Sequence, residues 1–173
     1  MATKKAATEV IEIRPIEIKK VTIRIVGDTP LIMHAWSEKA KRMMLEAQMG
    51  VAKGKKKEAK NPVDDFIRSM YWLTPMPEDG TMESFEEAVA NGARFGFPVT
   101  AFKQAAISAA YRMGWAKDKM SMRGAFFIDS DKNGMIEIHS DTPEMREDMV
   151  KVGMGTADIR YRGEFKNWYA DLT

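Results

Sequence analysis

Isoleucine and valine recur with a spacing of two near the start of the chain, at Ile11, Ile13, Ile16, Ile18, Val21, Ile23 and Ile25. That period in β-branched residues is the pattern of a strand with one buried face. The phase slips at Pro15 and again at Lys19-Lys20. Proline has no amide hydrogen for a ladder, so Pro15 marks an edge, a bulge or a break. The spacing predicts a long strand over 16–26, a turn or bulge at Gly27-Asp28, and a continuation over 29–34. The period then changes. Ala40, Met43, Met44, Ala47 and Val51 recur at helical spacing behind Ser37, a good N-cap, with Gly50 or Gly54 to end the helix. Both periods in one chain make it α+β.

Later segments repeat the mixture. Asn61-Pro62 is a strong helix start, and Val63, Phe66, Ile67, Met70 and Tyr71 form its apolar stripe. A loop is expected over 74–81, a short acidic helix over 84–90 and a short strand over 94–98. A long helix should begin at Val99 or Thr100 and end at Gly114. Its apolar face is predicted as Phe102, Ala105, Ala106, Ala109, Ala110 and Met113, small enough for close packing on a sheet. Two strands are expected over 123–128 and 135–139, joined as a hairpin through Asn133-Gly134. A further strand is expected over 149–152. A final hairpin would run from Ile159, Tyr161 and Phe165 to Trp168, Ala170 and Leu172. Domain organisation is expected to be a disordered basic tail over 1–9 and one domain over 10–173.

Composition removes several chemistries. The chain has 173 residues, no cysteine, and histidine only at His34 and His139. Disulfides, thiolate zinc sites, cysteine nucleophiles and multi-histidine metal centres are excluded together. Neither a membrane-spanning run nor a secretory signal is expected, so the chain reads as cytoplasmic. Asp129, Asp131 and Asn133-Gly134 match the opening of a calcium loop, but the clamping position holds Ser140 instead of glutamate. The stretch is better read as a turn. Gly153 to Thr156 reads as a turn between strands, without the lysine of a phosphate loop. No serine, tyrosine or second histidine stands at a telling spacing from His34, so it is expected to be structural. Among the 15 methionines, Met43 and Met44 are expected in the core, and Met113, Met120 and Met122 are candidates for an adaptable contact surface. The expectation is a non-enzymatic protein without cofactor or metal.

Charge is distributed in blocks. Residues 1–60 hold 14 Lys/Arg against 7 Asp/Glu, and residues 101–128 hold 5 against 1, whereas 61–100 and 129–148 each hold 2 against 7. Lys53, Lys55, Lys56, Lys57 and Lys60 form a cationic connector suited to phosphate contacts, which supply affinity without sequence information. Lys117, Lys119, Arg123, Arg160, Arg162 and Lys166 are interleaved with Trp115, Tyr161, Phe165 and Trp168. Cations for a backbone beside π-faces for bases are what single-stranded nucleic acid requires. In a strand, Arg160 and Arg162 share one face, expected to lie opposite the core.

Gly96 to Ala106 reads as a short strand, a proline turn and a helix carrying Lys103 early. This segment resembles the RAMP superfamily, the RRM-like subunits of CRISPR effector complexes. Gly27 to Ile32 after the first strand resembles their opening strand and Pro-Leu segment. Residues 30–34, 123–127 and 156–165 together also resemble uncharacterised phage and prophage proteins. The resemblance implies a ferredoxin/RRM-like antiparallel sheet with helices packed on one face and helical insertions. It also implies binding along a nucleic-acid backbone in a repeating assembly, with Lys103 and the strand arginines as contacts. The superfamily usually ends in a glycine-rich loop and a further strand, whereas the given sequence ends at Thr173 directly after the expected hairpin.

The expected function is a phage-type protein that binds single-stranded DNA or RNA, with a homo-oligomer as a possible state. Its predicted contacts are Lys53, Lys55, Lys56, Lys57, Lys60, Lys103, Arg123, Arg160 and Arg162. The alternative is a phage-encoded inhibitor of a host defence complex, anti-CRISPR-like, using the acidic segments 64–87 and 129–148. A third reading is a RAMP-type endoribonuclease using His34.

Overall fold

The computed structural model describes residues 17–36, 38–50, 59–153 and 155–173. Lys53, Lys55, Lys56 and Lys57, the Ser37 cap and the basic tail lie outside the described residues. The elements run β1 (Ile23–Val26), β2 (Leu31–Met33), α1 (Glu38–Gln48), α2 (Pro62–Arg68), β3 (Tyr71–Trp72), α3 (Met82–Ala90) and β4 (Phe95–Pro98). They continue with α4 (Val99–Arg112), α5 (Lys119–Ala125), β5 (Met135–Ile138), β6 (Glu144–Val152), β7 (Thr156–Phe165) and β8 (Tyr169–Leu172). The fold is α+β, and every strand pairing is antiparallel. No helix among the described residues is long and apolar enough to cross a membrane.

The strands form ladders β1-β8, β2-β7-β6 and β3-β4-β5. A bridge between His139 and Tyr169 joins β5 to β8, and their rings stack with centroids 4.7 Å apart. β1 and β2 are one extended stretch with an irregular step between them, facing β8 and β7 in turn. Val26 faces Tyr169 and Leu31 faces Phe165, so the first stretch carries one residue more than its partner. This is the bulge expected at Gly27-Asp28. Gly27 belongs there because a Cβ would fall inside the Trp168 indole, whose Nε1 donates to Thr29 O at 2.9 Å. The predicted strand begins at residue 16, outside the described residues; among the described residues the ladder starts at Ile23, opposite Leu172 of β8. β7 and β8 do not form the predicted hairpin with each other; β7 lies between β2 and β6.

The core lies where α2 and α3 meet these sheets. Asn61 caps α2 by accepting from the amides of Val63 and Asp64, with Pro62 in the first turn, as its sequence predicts. Phe66 and Ile67 then point inward, 1% and 0% exposed. Phe66 meets Phe85 of α3 edge-on at 4.9 Å, and Trp72, Phe95 and Phe165 extend the aromatic cluster. Ser69 locks α2 to β7. Its buried hydroxyl donates to Phe66 O at 2.7 Å and accepts the Gly163 amide at 2.8 Å. Gly163 is required here, because a Cβ would sit 2.5 Å from Met70 Cγ. Ser69→Ala leaves that buried amide without an acceptor and should cost about 1–3 kcal/mol. A urea denaturation midpoint unchanged by the substitution would contradict this role.

Three further expectations are corrected. The hairpin over 123–139 does not form: residues 119–125 are helical, because Asp118 caps α5 by accepting from the Ser121 amide at 2.8 Å. β5 pairs with β4 instead, and Asp131 Oδ1 accepts the amides of Asn133 and Met135 to build the turn before it. The buried face of α4 is carried by Ile107 and Ala110, while Ala105, Ala106, Ala109 and Met113 are exposed. A buried isoleucine gains more than a buried alanine, and it fixes the helix rotation. Met43 and Met44 are not core residues either; they are 58% and 46% exposed on α1.

Candidate nucleic-acid interface

The predicted contact residues in the described part fall into two groups. Arg160 and Arg162 stand on the face of β7 opposite Tyr161, Gly163 and Phe165, as alternation requires. Carboxylates of the same chain meet part of their charge. Arg162 Nη1 donates to Asp148 at 3.2 Å, and Arg146 on β6 spans Asp148 and Glu164. Arg160 Nε lies 3.5 Å from Asp158, whose other oxygen accepts from Lys60 Nζ at 2.6 Å. Lys60 also donates to the Ile159 carbonyl. The carboxyls respond accordingly. Hydrogen bonding to Arg146 holds Asp148 below its ordinary range, and Lys60 does the same for Asp158. The Nε of Arg162 is buried without a hydrogen-bond partner among the described residues. Phe165 and Trp168 belong to the core or its margin rather than to any exposed aromatic set.

β2 covers β7 only over Gly163–Phe165, so residues 157–161 have no strand beside them on that edge among the described residues. A cleft of about 440 Å³ opens there between α1, α2 and β7. Its lining includes Lys60, Asp65, Arg68, Asp158 and Arg160 from the charged residues, and Trp36 and Met44 from α1 and the turn before it. His34 closes one wall, with Nε2 3.1 Å from Arg160 Nη1. Loss of solvation in the cleft, then the charges of Arg162 and Arg160, hold His34 below its ordinary range against an opposing pull from Asp65.

The second group lies on α4 and α5. Here cations keep company with exposed rings. Lys103 Nζ stands 4.4 Å from the centre of the Phe127 ring and 5.8 Å from that of Phe126. Lys119 Nζ stands 5.5 Å from the Tyr111 ring, and Arg123 Nη1 contacts Met120 Sδ at 3.5 Å. Phe127 is 80% exposed and Trp115 76%. Arg112 and Lys117 make no ion pair among the described residues. The one acid within 101–128, Asp118, is engaged as the α5 cap by Ser121. Met113 and Met120 are exposed, and Met122 is half-buried.

Sequence reasoning named Lys103, Arg123 and Trp115 but missed Phe127, which it placed on a strand. The signal was present in Asp118-x-x-Ser121, an N-cap with its helix following. No protein-family model, no curated protein and no solved structure matches this chain.

Proposed function

We propose that this protein is a non-enzymatic, phage-type single-stranded nucleic-acid-binding protein that uses the α4–α5 corner as its contact surface. The observation that carries this reading is the exposure of Trp115 and Phe127 in the same 28-residue segment as Lys103, Arg112, Lys117, Lys119 and Arg123, whose one acid, Asp118, caps α5. Cations there meet phosphates while the rings stack on bases, which suits any sequence. Lys103 already rests on the Phe127 ring, so charge and π-face are held side by side before a strand arrives. Arg160 and Arg162 support the reading less, because Asp158 and Asp148 meet their charge.

The finer fold assignment belongs to the same proposal. β4 runs directly into α4, and Lys103 stands early in that helix. This strand–turn–helix is what the resemblance to RRM-like RAMP subunits implies for residues 96–106. Assembly along a strand follows from the same resemblance. The alternative of acidic segments docking on a basic partner has less to draw on. Asp64, Glu137, Glu144 and Asp148 are each held by an arginine or lysine of the same chain.

The test is a salt titration with single-stranded and duplex probes, with size analysis of the complex. Five phosphate contacts correspond to a slope in log affinity against log salt of about −3.5 for a single strand. The expected slope lies near that value, with the single strand favoured over duplex. A flat response, or no binding at low salt, would remove the reading.

A further inference from the structure

We propose that the cleft at the open edge of β7 is a binding site for one nucleotide, with its phosphate on Arg160 and its base against Trp36. This does not rest on the strand-binding corner, with which the cleft shares no residue, and either reading can fail alone.

The lining asks for three things at once. First, it has room for an anion. Of its cations, Lys60 is paired with Asp158 and Arg68 with Asp64, so the open donor for an anion is on Arg160. Arg160 has one side toward Asp158 and Nη1 on His34, which leaves Nη2 without a partner among the described residues. A planar guanidinium with an open donor is suited to a phosphate oxygen. His34 accepts from Arg160 at Nε2, so its ring is neutral and adds no charge of its own. The desolvation and arginine fields that hold His34 below its ordinary range are what a bound phosphate would offset. Second, the cleft has a spare acceptor. The Asp65 carboxylate lines it, partly buried, with no hydrogen bond or ion pair among the described residues. Two oxygens there match the hydroxyl or amine donors of a sugar or base, not a phosphate. Third, the cleft has an apolar wall in contact with water. Trp36 is 58% exposed and Met44 46% exposed, on a surface where burial of a flat ring is favourable.

Anion, donor and flat ring together are the chemistry of a nucleotide. Inorganic phosphate satisfies the first alone, and a nucleoside lacks it. The cleft volume of about 440 Å³ falls in the range of small-molecule sites, roughly 300–1,000 Å³. The same chemistry is offered by a free nucleoside monophosphate and by the phosphorylated end of a strand.

The experiment is calorimetric titration of the full chain with adenosine monophosphate, adenosine and inorganic phosphate. It uses the wild type, Arg160→Gln and Trp36→Ala, with Lys132→Ala in the exposed turn before β5 as the control. Adenosine monophosphate should bind saturably and more tightly than either fragment. Loss of a charge-assisted hydrogen bond or of a stacking wall should weaken it about tenfold in each cleft variant, and Lys132→Ala should leave it unchanged. Trp36 is at the surface, so its variant tests the site even if Arg160→Gln loosens β7. A 5′-phosphorylated oligonucleotide that displaces the nucleotide better than its unphosphorylated twin would identify the strand end as the source; equal displacement would identify the free nucleotide. The proposal is overturned if no saturable binding occurs at millimolar nucleotide, if adenosine or phosphate alone binds as tightly, or if both cleft variants bind like the wild type.

Discussion

Replacing Trp115 and Phe127 together by alanine should lower affinity for a single-stranded oligonucleotide by about thirtyfold or more, and leave the fold intact. Each base stacked on an aromatic ring contributes about 1–3 kcal/mol, so two lost platforms remove roughly 2–6 kcal/mol. Both rings are more than three-quarters exposed, which is why their loss should not open the core. The salt slope separates this effect from a loss of charge. The double variant keeps Lys103, Lys119 and Arg123, so the slope should stay close to that of the wild type while the affinity falls. Lys103→Ala with Arg123→Ala should do the reverse, flattening the slope by about 1.4 at roughly 0.7 per phosphate contact. Lys103 is the one point of overlap, because removing Phe127 also removes the ring beneath its ammonium. Electrophoretic or fluorescence titrations at several salt concentrations measure both quantities. If the double aromatic variant binds like the wild type, the α4–α5 corner is not where bases are held.

How much of this was legible beforehand depends on whether a signal was local. The cap at Asn61-Pro62 and the stripe Phe66-Ile67-Met70 lie within one turn of each other, and α2 formed where they said. The Gly153 turn between strands was equally local. The first half of β6 was not legible. In Glu144 to Asp148 charged residues fall on both faces, so no period of two in hydrophobicity marks the strand. It exists because Arg146, Asp148, Arg162 and Glu164 satisfy one another across the ladder with β7. That information is split between segments and cannot be read from either one. The predicted set of lysine and arginine contacts met the same obstacle. A cation's availability depends on which carboxylate folds beside it: Asp158 lies 98 positions from Lys60, and Asp148 lies 14 from Arg162. Within 101–128 there is one acid in 28 residues, and Lys103 and Arg123 make no ion pair among the described residues.

The same contrast governs stability, and Phe66→Ala is expected to be the most damaging single change considered. The Phe66 ring is 1% exposed, and it packs edge-on against Phe85 while the next residue, Ile67, is fully buried. Truncating a buried phenylalanine removes its transfer energy and leaves a cavity, together about 3–5 kcal/mol. Domains of this size commonly have about 5–15 kcal/mol in all, so the variant should be marginal at 37 °C. The damage should also spread. α2 carries Ser69, which holds the Gly163 amide, and Asp65 and Arg68, which line the cleft. An α2 that shifts inward to fill the void would move all three together. Phe66→Leu distinguishes packing from a nonspecific loss of the aromatic ring. It keeps most of the apolar volume and should lose well under half as much, since only the edge-to-face contact with Phe85, worth about 0.5–1.5 kcal/mol, and a small cavity remain. Urea denaturation of the two variants gives the comparison directly. A Phe66→Ala midpoint within error of the wild type would mean that α2 is not seated on β7 in solution, and the cleft beside it would lose its floor.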